Sequence, residues 1–516
     1  MTLPRALFTL ALCAFVAAAP SSPAAPADDE QKAARKALKK NLKKLAKVQK
    51  FLAEQDRAAR ESGNAQVRDR AEETIDEVCT EQLGELLEQI RLADDGDAAA
   101  ALVGFGVFVP NDNAYERVVR ELARMESDEA VEALGELLAG DLDEGEPGKK
   151  KRKKRKKTQA GEPWKTQVLV ADVFHDLEHP GTVAPVALQL RKGTQPAVVN
   201  ACVRAAEYKA APAIVAALIE LLGRVEQQGG WEYHNVRQRL TGLTGHDFFT
   251  QEKWQAWWAA NGGDAWDPEK KGEVTEAATK ERGPKEEVPT FFGSEIESNR
   301  LVFVIDTSGS MQMTDRPEEY AGDDAKFLLE NPDDPAVKAR QRIERAKSQA
   351  VAAIRNLVST QQFNVIAFSS GNRKWRPTTV PATEANKRDA ITFCEALAEG
   401  GGTNTAEALQ AAFGDETIDT IYLLSDGAPM TKVGNPGEQQ KEFAEEEIRK
   451  ILYQIKQLNR FRRVKINTFG MDGPGVWHKK WGPRPVTLPE EPEFLAPLQQ
   501  FMRDLAAVTG GEYKSI

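Results

Sequence analysis

The sequence predicts two folded parts: an all-α N-terminal part, and a C-terminal α/β part built on a doubly wound parallel sheet. Three observations support this prediction. Amphipathic helical patterns follow one another in pairs through the first half of the chain. Short apolar runs alternate with helical patterns from residue 299 onward, which is typical of a parallel sheet covered on both faces. A charged stretch punctuated by Pro and Gly separates the two patterns.

The composition limits the class of protein. The chain has 516 residues, more than one ordinary domain, and its net charge of -10 does not favour nucleic-acid binding through bulk charge. Its four cysteines, Cys13, Cys79, Cys202 and Cys394, lie far apart in the sequence. This spacing is no disulfide framework and predicts that the last three are buried thiols.

The first 27 residues have the features of a secretory signal peptide. Arg5 precedes the apolar run Ala6–Ala19, which is short for a membrane span, and Ala25 to Ala27 fit the small-x-small cleavage rule before Asp28. An uncleaved anchor is the alternative. Because no later segment is apolar enough to cross a membrane, we expect export to the periplasm, the cell envelope or the exterior, without a transmembrane helix after cleavage.

Residues 28–63 are predicted to form one charged helix. A single apolar stripe runs along it at spacings of three and four residues, through Leu38, Leu42, Leu45, Val48 and Leu52. Lysines cover the opposite face. This face could meet an anionic surface, or the helix could simply pack its stripe on the next element and leave the lysines in water.

Residues 64–262 show helix pairs, each spanning about thirty residues, and one pair alone cannot cover its apolar faces. This rhythm resembles a HEAT-like α-solenoid, which implies either a concave protein-binding surface or a spacer. Trp254, Trp257 and Trp258 fall on one helix face, and we expect them to close the end of the array. The charged stretch that follows, residues 263–297, is the predicted linker.

A basic loop, residues 143–163, interrupts the helix pairs. It contains nine consecutive Lys and Arg residues, 149–157, which repel one another and do not fold alone. Such a run can dock on an anionic polymer or an acidic lipid surface. The plain alternative is a solvated loop between two helix pairs.

Oxygen-bearing side chains follow the strands of the C-terminal part, residues 298–516. Asp306, Ser308 and Ser310 stand at alternate positions after one strand, and Asp426 ends another. Thr403 follows three glycines and precedes a helix. Since parallel sheets bind ligands at the carboxyl ends of their strands, these oxygens can converge on one ion. An oxygen-only shell suits Mg²⁺, or Mn²⁺.

This pattern resembles the von Willebrand factor type A domain with its metal-ion-dependent adhesion site, and every position of the metal motif is present in residues 299–516. The resemblance implies a doubly wound, Rossmann-like sheet with one antiparallel edge strand, for which residues 374–382 are the candidate. It also implies a non-enzymatic role, in which a partner protein supplies a carboxylate to the bound cation. From the net charge of the chain, we expect no specific nucleic-acid partner.

Two insertions distinguish the chain from that family. One, residues 312–335, is acidic, and the other, residues 472–492, is aromatic and basic. Both leave carboxyl ends of strands, so we expect them at the rim of the metal site, as two walls that select the partner. Alternatives are two floppy loops, or an acid of the first insertion filling the open metal position.

A rival motif is His175, Glu178 and His179, which match the H-x-x-E-H pattern of some zinc peptidases. It requires both imidazoles on one helix face and a third ligand, and the sequence shows no clear third ligand. A serine nucleophile at Ser308 or Ser310 would need a nearby base, and no His lies near the motif. We therefore predict no enzymatic activity.

Overall fold

The computed structural model describes residues 28–516 apart from 63, 143–161, 228, 264–265, 269–288, 316–330, 332–333, 427–437, 472–474 and 477–491. The predicted signal peptide, the basic run 149–157 and most of both insertions lie outside the described residues. Within the described ranges, no helix combines the length and the apolar character that crossing a bilayer requires.

The described part of residues 28–263 forms a helical region. Its α-helices are α1 (Asp28–Glu61), α2 (Ala65–Glu77), α3 (Leu83–Arg91), α4 (Gly96–Phe108), α5 (Asp112–Ala123), α6 (Asp128–Ala139), α7 (Pro163–Asp176), α8 (Val183–Lys192), α9 (Pro196–Ala205), α10 (Pro212–Val225), α11 (Gly230–Thr244) and α12 (Gln251–Asn261). Many begin at a side-chain cap, such as Asn111 before α5 and Ser127 before α6, which satisfies a free backbone N–H.

The helices pack in two rows, because contacts join every second helix. One row contains α4, α6, α8 and α10, and the other contains α3, α5, α7, α9 and α11. The Ala, Val and Leu faces between the rows form one continuous buried core. The N-terminal part is therefore helical and layered, as the sequence predicts, while its HEAT-like character stays a prediction.

The apolar stripe of α1 packs against α2, α3 and α4. Leu38, Leu45 and Leu52 are buried in the core of the helical region, and Leu42 and Val48 are partly buried against it. The stripe therefore serves packing on the neighbouring helices, one of the two interpretations that the sequence left open.

The tryptophans of α12 belong to the core at the end of the helical region. Trp254 is fully buried and its Nε1 donates a hydrogen bond to the Phe248 carbonyl at 2.9 Å. Trp257 and Trp258 pack partly buried against the same core, with ring centroids 5.8 Å apart. Their contacts are with other aromatic rings of the chain, as expected for a closing layer.

The described part of residues 289–516 folds as a C-terminal α/β domain. Its strands are β1 (Thr290–Phe291), β2 (Ser294–Glu295), β3 (Arg300–Asp306), β4 (Thr314–Asp315), β5 (Gln362–Phe368), β6 (Asn372–Lys374), β7 (Val380–Pro381), β8 (Thr420–Ser425), β9 (Lys465–Gly470), β10 (Gly475–Val476) and β11 (Tyr513–Ser515). Its α-helices are α13 (Pro335–Lys338), α14 (Arg342–Asn356), α15 (Glu384–Glu395), α16 (Thr405–Phe413), α17 (Glu438–Asn459) and α18 (Pro492–Thr509).

The main sheet has the order β11-β9-β8-β3-β5-β6, and β7 also pairs with β5. The strands from β11 to β5 are parallel, while β6 and β7 are antiparallel to β5. Apolar clusters cover both faces, because successive strand residues point to opposite sides: Phe303 belongs to one cluster and Val304 to the other. The sheet is thus doubly wound with β3 at its centre.

The antiparallel edge differs in detail from the prediction of one strand over residues 374–382. It forms as β6 and β7, which lie on either side of Pro377. Proline has no N–H to donate to a ladder, so the chain leaves the sheet there. The Arg376 carbonyl instead accepts a hydrogen bond from Asn364 Nδ2 at 2.8 Å.

The helical pattern of residues 334–359 predicts a single helix there. This prediction is wrong, since two helices, α13 and α14, form. Between them Gln341 makes an isolated β-bridge with Thr314. The Arg342 N–H then donates to the Met313 carbonyl at 2.9 Å. Pairing with β4 draws the chain out of the helix, which sequence periodicity alone could not reveal.

The three cysteines of the described chain are free and buried, which confirms the prediction of buried thiols. Burial raises the pKa of both Cys79 and Cys394 to about 12. Burial also raises the pKa of Cys202. None of these thiols has the lowered pKa that marks a reactive cysteine.

The helical region and the C-terminal domain contact each other directly through a docking segment, residues 459–463. Phe461 lies in the core of the helical region, edge-on to Tyr115 with ring centroids 5.5 Å apart. Arg460 Nε donates to Asp112 at 2.8 Å, and Arg463 pairs with Asp172 at 2.7 Å. The two parts are therefore held by burial and charge together.

Further pairs extend this contact. The Gln457 amide donates to the Pro110 carbonyl at 2.6 Å, and Arg300 pairs with Glu232 at 2.6 Å, with both side chains mostly buried. Asn299 Nδ2 donates to the Gly229 carbonyl at 2.6 Å. Since Asn299 and Arg300 lie at the start of β3, the helical region meets the amino-terminal edge of the sheet.

Candidate metal centre

Two acids meet at the carboxyl-terminal edge of the sheet because β3 and β8 are neighbours and parallel. Asp306 is the last residue of β3, and Asp426 directly follows the last residue of β8. Asp306 is fully buried and Asp426 is 5% exposed. Burying a carboxylate is unfavourable unless hydrogen bonds or a positive charge compensate it, so the groups around these two acids have to supply that compensation.

Ser308 and Ser310 link the two acids. The Ser308 N–H donates to Asp306 Oδ1 at 2.7 Å, which folds the chain back just after β3. The hydroxyls of Ser308 and Ser310 lie 3.0 Å apart, and Ser310 Oγ donates to Asp426 Oδ1 at 2.7 Å. Four of the five predicted ligands thus form one hydrogen-bonded network.

The fifth predicted ligand, Thr403, is buried in a loop that lies against the serine turn. The Gly309 N–H donates to the Gly401 carbonyl at 3.1 Å, and the Gly400 N–H donates to the Thr307 carbonyl at 2.8 Å. Gly401 has φ +85°, and a Cβ there would lie 2.8 Å from Ser370 Oγ. Only glycine allows this approach, so the glycine run brings Thr403 towards the network.

The electrostatics of the site fit a hard cation. Burial, and then the charge of Asp426, raise the pKa of Asp306 to about 7, although Ser425 and Ser308 donate hydrogen bonds to it. Two buried acids in one network repel each other, and a divalent cation would offset that repulsion. Carboxylate and hydroxyl oxygens are the ligand types that Mg²⁺ and Mn²⁺ prefer, so the residues present fit the metal that the sequence predicts.

Two residues of the centre were missed by sequence reasoning. Ser425 Oγ donates to Asp306 Oδ2 at 2.5 Å, and its position directly before Asp426 was an available signal. Arg342 Nη1 donates to Asp426 Oδ2 at 2.8 Å. An arginine at a helix start usually faces solvent, so nothing in the sequence pointed to Arg342.

The described parts of the two insertions meet each other at this rim. β4, from the acidic insertion, pairs antiparallel with β10, from the aromatic and basic one. Asp315, an acid of the first insertion, accepts a hydrogen bond from Arg342 Nε at 2.8 Å. The carboxylate of Asp315 is therefore paired with an arginine. The hypothesis that the insertions select a partner falls mostly on residues outside the described ones and stays a prediction.

The rival zinc motif does not form on one helix face. α7 contains His175 but ends at Asp176, so His179 lies beyond the helix. His175 Nδ1 lies 2.6 Å from Asp176, while His179 Nδ1 accepts a hydrogen bond from the Gly181 N–H at 3.1 Å. In the part of the chain that the structure describes, no three His, Cys, Asp or Glu side chains are grouped to hold a metal.

Comparisons with known proteins agree with the fold of the C-terminal domain. A family model described as von Willebrand factor type A domain matches residues 301–428. The human inter-alpha-trypsin inhibitor heavy chain H4 is 27% identical over 148 residues, which cover 26% of this chain and 13% of that protein. The human von Willebrand factor A domain-containing protein 3B is 28% identical over 181 residues, which cover 35% and 11%. This chain spans only a small fraction of the length of these relatives.

Solved structures were also found. The von Willebrand factor type A protein from Catenulispora acidiphila is 18% identical with a TM-score of 0.26, over 43% of this chain and 39% of that chain. The conserved hypothetical protein BatB from Bacteroides thetaiotaomicron is 15% identical with a TM-score of 0.27, over 42% and 89%.

Proposed function

We propose that this chain, which contains a von Willebrand factor type A domain, is an exported, non-enzymatic binding protein that grips an acidic group of a partner protein through a divalent cation. The observation that carries this proposal is the network of Asp306, Ser308, Ser310 and Asp426 at the sheet edge. The relatives found by sequence support a protein-interaction role for the domain in coarser terms.

The cation would be Mg²⁺ or Mn²⁺, held by Asp306, Ser308, Ser310, Thr403 and Asp426. Once bound, it supplies a Lewis-acidic centre that a carboxylate oxygen of the partner can coordinate. The chain's own role is to hold the oxygens together before the cation arrives. The serine turn and the glycine-supported loop do this through backbone hydrogen bonds of 2.7 to 3.1 Å.

Binding through the cation is sensitive to EDTA, whereas binding through the basic run is sensitive to salt, so one experiment distinguishes the two proposals. We expect the full chain to capture its partner from extracytoplasmic proteins in the presence of Mg²⁺ and to release it in EDTA. Direct Mg²⁺ binding is measured by isothermal titration calorimetry on the same preparation. The alternative is a tether to an anionic polymer through residues 149–157. In that case high salt, rather than EDTA, would release the bound material, because phosphate-like contacts depend steeply on salt.

Export rests on residues 1–27 of the sequence. We expect the mature protein recovered from its native host to begin at Asp28, as measured by intact mass and N-terminal sequencing. Recovery of a chain that still carries its first residues in the membrane fraction would instead support the uncleaved anchor.

A further inference from the structure

Arg342, the first residue of α14, lies beside the candidate metal centre and pairs with one of its two acids. Its side chain is 4% exposed, and Nη1 donates to Asp426 Oδ2 at 2.8 Å. Ser310 donates to the other oxygen, Oδ1, at 2.7 Å. Asp426 thus engages a positive charge through one oxygen and a predicted ligand hydroxyl through the other.

Asp315 holds the guanidinium from a second side. Arg342 Nε donates to Asp315 Oδ1 at 2.8 Å, and Arg345 also pairs with Asp315. The backbone fixes both elements, since the Asp315 N–H donates to the Arg340 carbonyl at 3.2 Å and β4 is paired with β10. The guanidinium therefore cannot turn away from the centre without breaking buried charge pairs, which is costly.

We propose that the positive charge of Arg342 lowers the affinity of the centre for its divalent cation. The bound cation then keeps more of its own positive charge, which is available to attract the partner's carboxylate. This proposal rests on the proposed function. Arg342 neutralises Asp426, so the centre offers the cation Asp306 as its one uncompensated carboxylate. The same guanidinium repels an incoming divalent cation through a low-dielectric interior.

A consequence is that the cation and the partner bind cooperatively. A divalent ion facing one uncompensated carboxylate keeps about one positive charge, and a partner carboxylate removes it. By linkage, each ligand then raises the affinity of the other by the same factor. A centre with two free acids would hold the cation tightly by itself and would gain less from the partner.

The test measures Mg²⁺ alone by isothermal titration calorimetry on the full chain. We expect Arg342→Met, which keeps most of the side-chain length without the charge, to lower the Mg²⁺ Kd by at least about tenfold, given the size of a nearby unit charge at an effective dielectric of about 20. Arg342→Lys keeps the unit charge, so its Mg²⁺ Kd is expected to stay much closer to that of wild type than the Kd of Arg342→Met does. Arg345→Met is the matched control, because Arg345 pairs with Asp315 but not with Asp426 in the hydrogen bonds described, and it is also expected to change Kd by less than about threefold.

A second variant gives the opposite sign. Asp315→Asn removes the acid that shares the guanidinium charge, so the Mg²⁺ Kd is expected to rise. Tighter binding by Arg342→Met cannot arise from a damaged fold, whereas unchanged or weaker binding in a chain with a wild-type circular dichroism spectrum would overturn the role of Arg342. If neither wild type nor Arg342→Met binds Mg²⁺, the proposed function itself fails. Wild-type binding without tightening in Arg342→Met removes only this inference.

Discussion

Asp306→Asn is expected to abolish Mg²⁺ binding while leaving the metal-free fold at least as stable as wild type. The carboxylate is fully buried, and burial and Asp426 raise its pKa to about 7. In the unfolded chain its pKa returns to the ordinary value near 3.8, so folding is penalised increasingly as the pH rises from 4 towards 7. Asparagine keeps the size and an acceptor oxygen without that penalty.

The measurement is thermal unfolding with and without Mg²⁺. At a hundredfold excess over Kd, the cation stabilises wild type by about 2.7 kcal/mol, which raises the melting temperature by a few degrees. Asp306→Asn should show no such rise. In EDTA, its stability relative to wild type should be greater at pH 8 than at pH 4.5.

The matched control is Asp389→Asn, an exposed acid of the same domain whose side chain is 53% exposed beside Arg376. It should retain the Mg²⁺-dependent rise in full. An Asp306→Asn chain that still gains stability with Mg²⁺ would contradict the assignment of Asp306 as a ligand.

Phe461→Ala is expected to separate the helical region from the C-terminal domain. Phe461 is 6% exposed and packs edge-on to Tyr115 and Trp164, with centroids 5.5 and 6.4 Å away. Truncating a buried phenylalanine costs about 3 to 5 kcal/mol. The cavity would also loosen the neighbouring pair of Arg460 with Asp112, so we expect one cooperative transition to become two in differential scanning calorimetry.

The control for Phe461→Ala is Leu458→Ala, in the last turn of α17 just before the docking segment. Leu458 is 42% exposed, so its truncation is expected to change stability by less than about 0.5 kcal/mol. Small-angle X-ray scattering should show a larger radius of gyration for Phe461→Ala than for either wild type or Leu458→Ala. Equal radii and a single transition in all three proteins would contradict the docking role of residues 459–463.

The sequence was informative wherever a local pattern identifies the strand or helix that carries a residue. Asp306, Ser308 and Ser310 follow an apolar strand at fixed spacing, and Asp426 follows another, so a parallel sheet was enough to predict that they meet. The helix pairs were visible for the same reason, since their apolar faces recur with the helical period.

Contacts between distant residues were not predictable where no local pattern marks the residues involved. Arg342 reaches Asp426 across 84 positions, and Phe461 enters a core whose members lie more than two hundred positions earlier. Neither Arg342 nor Phe461 belongs to a periodic pattern in the sequence that would predict its burial. The split of the predicted helix over residues 334–359 has the same origin, because a bridge to Thr314 decides where the helix begins.

The docking contacts sit at the amino-terminal edge of the sheet, around Asn299, Arg300 and Arg463, while the proposed cation lies at the opposite edge. The rim therefore points in one direction relative to the helical region, and that direction is settled when the chain folds. Binding of a partner to both parts would therefore not lose the rotational entropy that two freely tethered domains lose when they are aligned. Inserting extra residues between 269 and 288 should therefore leave the position of the rim relative to the helical region unchanged.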